Sequence, residues 1–198
     1  MYTLLKPLNI RQILLEKNIK IFSFNDFQQI FSLNYARSKR FLEKQTIDGL
    51  LLRLKRDLYC LNTDLPSIEE ISNNLYKPSY ISFEYALSYY GIIPEAVYTI
   101  TNATTKATRN FIVQNQEYSY SSIKKSLYFG YVLVTEKNRQ FLIAEPEKAL
   151  LDYYYFVYLK MKEDNERISS KDLDRNKLLK YADRYNLKGF INFIKSKI

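Results

Sequence analysis

Histidine and tryptophan are absent from this chain, and Cys60 is its single cysteine. Without imidazole there is no His-ligated metal, no Ser-His-Asp hydrolysis and none of the usual imidazole acid–base chemistry. A lone cysteine excludes an internal disulfide and a four-thiolate metal site. Four glycines and five prolines in 198 residues leave little material for long linkers, low-complexity tracts or an extensive phosphate-cradling loop. The signatures G-x-x-x-x-G-K-[ST], G-x-G-x-x-G and H-E-x-x-H are missing. No N-terminal apolar run precedes a cleavage site, and no stretch of about 18–20 apolar residues occurs. A cytoplasmic protein with no membrane partner and no cofactor is therefore expected.

The remaining composition, 46% apolar and 26% charged, is that of a folded chain. Its length suits one medium domain or two small ones. Nineteen tyrosines accompany twelve phenylalanines, so some phenols belong to the core, where each hydroxyl needs a partner. The net charge of +9 is unevenly shared: residues 1–62 carry 11 basic and 5 acidic groups, and residues 63–198 carry 19 and 16. The excess in the first third points to a polyanionic partner for that part.

Apolar spacing predicts helices over Leu8–Lys17, over a short segment capped by Asn25 with Phe27, Ile30 and Phe31 inward, and from Asn34 as N-cap. The third helix places Phe41 and Leu42 inward, along with Ser38 and Gln45. Asp48-Gly49 stops it. Leu50–Leu54 and Leu58–Leu61 read as a two-stranded ribbon whose tip is Lys55-Arg56-Asp57. A cationic helix followed at once by a basic ribbon is the outline of a winged helix-turn-helix, a device for holding a nucleic-acid duplex.

Thr63–Pro66 is the candidate boundary. Beyond it the sequence predicts helices near Ser67–Leu75 and Ser82–Tyr90. Strands are predicted at Val97–Ile100, Asn110–Gln114, Tyr118–Tyr120, Tyr128–Thr135 and Gln140–Ile143, the last two joined around Glu136-Lys137-Asn138. A long helix is predicted over Ala144–Met161 and two final helices over Asn176–Tyr185 and Phe190–Lys197. Asp172 is a candidate cap before them. The expected fold class is α+β. A winged helix-turn-helix at 1–62 is followed at 63–198 by a helix-rich α+β domain, with a small, mainly antiparallel sheet and helices on one side.

The DNA-binding candidates follow from this outline. Asn34, Tyr35, Arg37 and Ser38 lie at the front of the third helix, where a helix in the major groove meets base edges or the first phosphate. Lys39, Arg40 and Lys44 are assigned to phosphates, which position without reading sequence. Arg53, Lys55 and Arg56 are the ribbon's contribution. A single module covers limited surface, so double-stranded DNA with repeated half-sites is expected, bound by a homodimer or cooperatively. The alternatives are a protein-interaction module with a non-DNA-binding winged helix, and a metal-dependent nucleic-acid enzyme.

The enzyme alternative centres on Glu145, Glu147, Lys148 and Asp152. On a helix, Glu145, Lys148 and Asp152 share a face and Glu147 turns away. Helix-start charge, Pro146 in the first turn and a Lys148–Asp152 pair account for this run without a metal. Thr104-Thr105-Lys106 with Arg109 reads as a solvated basic turn. In Tyr153-Tyr154-Tyr155-Phe156, four consecutive rings cannot all face one core, so at least one is expected near the surface.

The ordered motifs resemble the AbiEi-type antitoxins of type IV toxin–antitoxin systems. The resemblance spans nearly the whole chain. It rests on Arg56-Asp57-Leu58-Tyr59-Cys60-Leu61, where the family has glycine at the position of Asp57. It continues through Tyr80–Leu87, Tyr90–Glu95, Thr99–Thr101, Thr105–Arg109, Phe129-Gly130 and Ile143–Asp152. The resemblance implies a transcriptional autorepressor that binds inverted repeats in its own promoter. It also implies a second domain that opposes a nucleotidyltransferase-like toxin, without a required stable complex and without catalysis. Glu84, Arg109, Glu145, Glu147, Lys148 and Asp152 are the motif residues carried over to that second domain.

Overall fold

A computed structural model describes residues 6–136 and 138–198; Lys137 of the expected Glu136-Lys137-Asn138 turn lies outside them. The chain divides into two compact units, Met1–Ser67 and Ile68–Ile198. Residues 63–67 go with the first unit, where Arg11 Nε donates to Thr63 Oγ1 at 3.2 Å.

The first unit runs α1 (Pro7–Glu16), β1 (Ile21–Ser23), α2 (Phe24–Phe31), α3 (Tyr35–Ile47), β2 (Leu51–Lys55) and β3 (Leu58–Leu61). Pro7 occupies the first turn of α1, where its missing N–H has no intrahelical partner to lose. Ser23, rather than Asn25, caps α2: its hydroxyl accepts from Asp26 N, and the Asp26 carboxylate accepts from Ser23 N at 2.8 Å. Asn34 Oδ1 accepts from Arg37 N at 3.0 Å and caps α3. Three residues thus separate α2 from α3, with Ser32 in the left-handed region at φ 50°.

The three strands form one antiparallel sheet in the order β1-β3-β2. β1 is an addition to the expected ribbon. Ile10, Leu14, Phe22, Phe27, Phe41, Leu42, Leu51, Tyr59 and Leu61 make the core. The Phe27 ring stacks between Phe22 and Phe41, with centroids 5.9 and 5.5 Å away. Buried aromatic and aliphatic groups of this kind each contribute about 1.5–3 kcal/mol.

The second unit runs α4 (Ile68–Leu75), β4 (Ser79–Ile81), α5 (Phe83–Tyr89), β5 (Ile100–Thr104), β6 (Arg109–Val113), β7 (Gln116–Ser122), β8 (Tyr131–Glu136), β9 (Arg139–Ala144), α6 (Pro146–Tyr158), α7 (Arg175–Asp183) and α8 (Phe190–Lys195). Asp174, not Asp172, caps α7 by accepting from Asn176 N and Lys177 N.

The architecture is α+β, and its larger sheet is mixed, with antiparallel pairings in the majority. Six strands in the order β6-β7-β5-β4-β9-β8 make a mixed sheet. β5–β7 and β4–β9 are parallel, and the other pairings are antiparallel. Helices also cover both faces rather than one. Thr101 and Asn102 are neighbours on β5 and so point to opposite faces. Thr101 Oγ1 accepts from Tyr85 N of α5, whereas Asn102 Oδ1 accepts from the Ser72 hydroxyl of α4. Every residue of β5 is buried as a result.

α6 corrects a second expectation. Tyr153, Tyr154, Tyr155 and Phe156 are all buried. α6 is packed by α5, α7, α8 and β9, so rings leaving it in every direction meet protein. Phe156 meets Phe83, Tyr154 meets Phe193, and Tyr155 meets Tyr185 and Phe190.

Candidate nucleic-acid interface

α3 buries Ser38, Phe41, Leu42 and Gln45. That spacing leaves two exposed rows on its other side. Arg37, Arg40 and Lys44 follow one another at i, i+3 and i+7, and all are exposed. Tyr35, Lys39 and Glu43 follow at i, i+4 and i+8. This second row faces the β2–β3 hairpin across a cleft of about 460 Å³, lined also by Ser23, Asn25, Arg53, Arg56, Asp57 and Tyr59.

The hairpin tip is the two-residue turn Arg56-Asp57. Asp57 has φ +60°, a left-handed conformation that aspartate tolerates better than most residues and glycine best. Its carbonyl accepts from Phe24 N at 3.3 Å, fixing the tip against the start of α2. Arg56 projects at the tip, with its side chain 89% exposed and only a loose 3.6 Å pair to Asp57. Lys55 is half-buried within β2 rather than at the tip. Arg53 is exposed, with Nε donating to the Lys55 carbonyl at 3.3 Å. Tyr35 is 64% exposed, and its ring packs on Phe24 at 5.1 Å.

The fold therefore brings Tyr35, Lys39, Arg53 and Arg56 around one cleft and sets Arg37, Arg40 and Lys44 along the adjoining row. Two candidates behave otherwise. Ser38 is fully buried, and its hydroxyl has no hydrogen-bond partner among the described residues. It points with Phe41 and Leu42 into the core, so it is corrected to a core residue. Asn34 spends its side-chain oxygen on the helix cap. Glu43 and Asp57 are the cleft residues that a search for cations passes over. The i+4 spacing from Lys39 to Glu43 was the signal for the first.

The second-unit residues fall into separate places. Lys148 and Asp152 are fully buried and form an ion pair. Asp152 also accepts from Tyr80 Oη at 2.9 Å, Ser82 Oγ at 2.8 Å and Tyr185 Oη at 2.8 Å. The Lys148 ammonium donates to Tyr185 Oη at 3.0 Å and lies 5.0 Å from the Phe129 ring centre. Burial pulls its pKa down, Asp152 opposes that pull, and the result stays below the ordinary lysine value. Gly130 permits this packing: at φ +69° it adopts a backbone that favours glycine, and a Cβ there would sit 3.1 Å from Lys148 Cγ.

Glu145 belongs to a different network. Its carboxylate accepts from Lys177 Nζ at 3.0 Å and Tyr181 Oη at 2.7 Å. Burial pushes this carboxyl up, but the bonds from Tyr181 and Lys177 outweigh it and hold it below the usual range. Glu147 accepts from Asp174 N at 3.1 Å and also meets Lys177. The expected shared face thus splits: Lys148 and Asp152 turn inward together, while Glu145 at the helix start joins Glu147 in clasping α7. Glu84 pairs with Lys162. Arg109 lies elsewhere on the unit, exposed over the rings of Phe111 and Tyr76 at 5.4 and 5.9 Å. Among the described residues, no group of three or more His, Cys, Asp or Glu is arranged to hold a metal ion. No described helix is long and apolar enough to cross a membrane.

No family model matches the chain, and no curated protein matches it.

Proposed function

We propose that the first unit is a winged helix-turn-helix that binds double-stranded DNA, and that the chain is a transcriptional autorepressor and antitoxin of the type IV class. The observation that carries the DNA reading is the cationic surface of α3, with Lys39, Arg40 and Lys44 exposed beside a hairpin whose tip is Arg56. α3 enters the major groove, and the hairpin lies on the neighbouring backbone or minor groove. Arg37 reaches base edges near the front of the helix; the lysines, Arg40 and Arg56 meet phosphates.

The antitoxin half of the reading rests on the motif resemblance to AbiEi-type proteins and on nothing in the geometry alone. Under it, the second unit opposes a nucleotidyltransferase-like toxin. The action is stoichiometric, with no reaction step. The carboxylates in the enzyme alternative support this, because Glu145, Glu147 and Asp152 each receive protein donors. A homodimer or two cooperatively bound copies would occupy repeated half-sites.

The test is a mobility-shift titration of the chain on its own promoter fragment across a salt series. With about six phosphate contacts, log K is expected to fall with log salt at a slope of about −5. Arg37→Ala combined with Arg40→Ala is expected to weaken binding by at least about tenfold, roughly 1.4 kcal/mol. Unchanged affinity in a folded double variant sinks the assignment of α3.

A further inference from the structure

Glu43 is an exposed carboxylate on a cationic helix. It lies one turn beyond Lys39 and three residues beyond Arg40, and it lines the cleft with Lys39, Arg53 and Arg56. Among the described residues it makes no hydrogen bond or ion pair. The Lys-to-Glu order at i, i+4 is also the weaker orientation for a helical pair. On the DNA reading, on which this inference rests, such a group repels phosphates and lowers affinity for any duplex backbone. What it gains in exchange lies at the base edges.

The major groove presents few donors to a carboxylate. Cytosine offers its N4 amino group, whereas adenine's N6 amino group sits beside the N7 acceptor, which repels a carboxylate. We propose that Glu43 is a specificity-determining residue, accepting a hydrogen bond from the N4 amino group of one cytosine in each half-site. Its neighbours Lys39 and Arg40 hold the flanking phosphates. The carboxylate then penalises every duplex that lacks cytosine at that position, through an uncompensated negative charge against the groove.

The experiment is selection from a duplex library randomised over about 20 base pairs, two helical turns. It uses the full chain, Glu43→Ala and Glu43→Gln. The wild type is expected to enrich a motif containing a C·G pair whose replacement weakens binding about tenfold or more. Glu43→Ala should relax the preference at that pair alone and bind duplexes outside the motif as well as or better than the wild type. Glu43→Gln should shift the pair toward A·T, because an amide matches adenine N6 and N7. An unaltered motif with Glu43→Ala, or a uniform loss of affinity across all sequences, overturns the proposal while leaving DNA binding intact. Failure of the wild type to enrich any duplex overturns the DNA reading and this proposal together.

Discussion

Lys148 and Asp152, one helical turn apart on α6, are paired with neither side chain reaching solvent. Each would be costly alone, since an unpaired buried charge has lost its water without gaining a partner. Three hydroxyls, from Tyr80 in β4, Ser82 just after it and Tyr185 two residues beyond α7, complete the carboxylate's shell and tie those segments to α6. Asp152→Ala is expected to destabilise the second unit by about 3–5 kcal/mol. Lys148→Met with Asp152→Ala should cost no more than Asp152→Ala alone, because Lys148→Met removes the ammonium that Asp152→Ala strands. Urea denaturation of both singles and the double gives the coupling; additive losses would show that the two charges do not depend on each other.

Alkaline pH attacks the same core through its tyrosines. Burial raises the pKa of Tyr90, Tyr118, Tyr128 and Tyr153 to about 12, against 10.0 for a free phenol. Tyr80 and Tyr185 are also raised, by burial first and by Asp152 next. In this window the folded chain keeps protons that the unfolded chain has released. Stability is therefore full below pH 10 and falls as pH rises toward 12. Tyrosinate absorbance should show a late, cooperative phase above pH 10 that coincides with unfolding. A single phase near pH 10 without unfolding would contradict the buried assignments.

Ser38→Ala separates core from interface. The Ser38 hydroxyl is buried without a partner among the described residues, and an unsatisfied buried hydroxyl costs about 1–3 kcal/mol. Alanine also has the better helix propensity. The variant should be more stable by about 1 kcal/mol, with unchanged DNA affinity. Loss of affinity would return Ser38 to the interface.

Asp57→Gly probes the hairpin tip. Glycine adopts φ +60° at least as readily as aspartate, so the fold is retained. The change removes a negative charge 3.6 Å from Arg56. Exposed pairs of this kind contribute about 0.2–1 kcal/mol, so affinity for duplex DNA at low salt should rise by up to about fivefold. Asp57→Val, strained at positive φ, should instead lower the melting temperature. Equal affinity of Asp57→Gly and wild type in low salt would place the tip away from the phosphates.

Much of the first unit is legible because its signals are local. An Asn before an apolar i, i+3, i+4 pattern marks the cap and inward face of α3, and a basic pair between two short apolar runs marks the hairpin. β1 and β4 were not legible: three residues are too few for alternation to show, and each exists only because a neighbouring strand supplies its hydrogen bonds. β5 began later than expected, at Ile100, because its register is set by pairing with β4 and β7. The candidate interface was readable as a set of cations. Of its acidic members, Glu43 is marked along the chain only by its i+4 spacing from Lys39, and Asp57 joins it in the cleft only through the folding of the hairpin beside α3.

The order of residues alone was sufficient for the α+β class, the concentration of positive charge in the first third, and the helical period that turns Lys39, Arg40 and Lys44 away from Phe41 and Leu42. These depend on composition and on geometry within a few turns. The burial of Tyr153–Phe156 on every side of α6, the closure of Tyr80, Ser82 and Tyr185 around Asp152, and the splitting of Glu145 from Lys148 depended on segments dozens of residues apart. Such contacts form only when several elements pack at once, and no local pattern records which surfaces will meet.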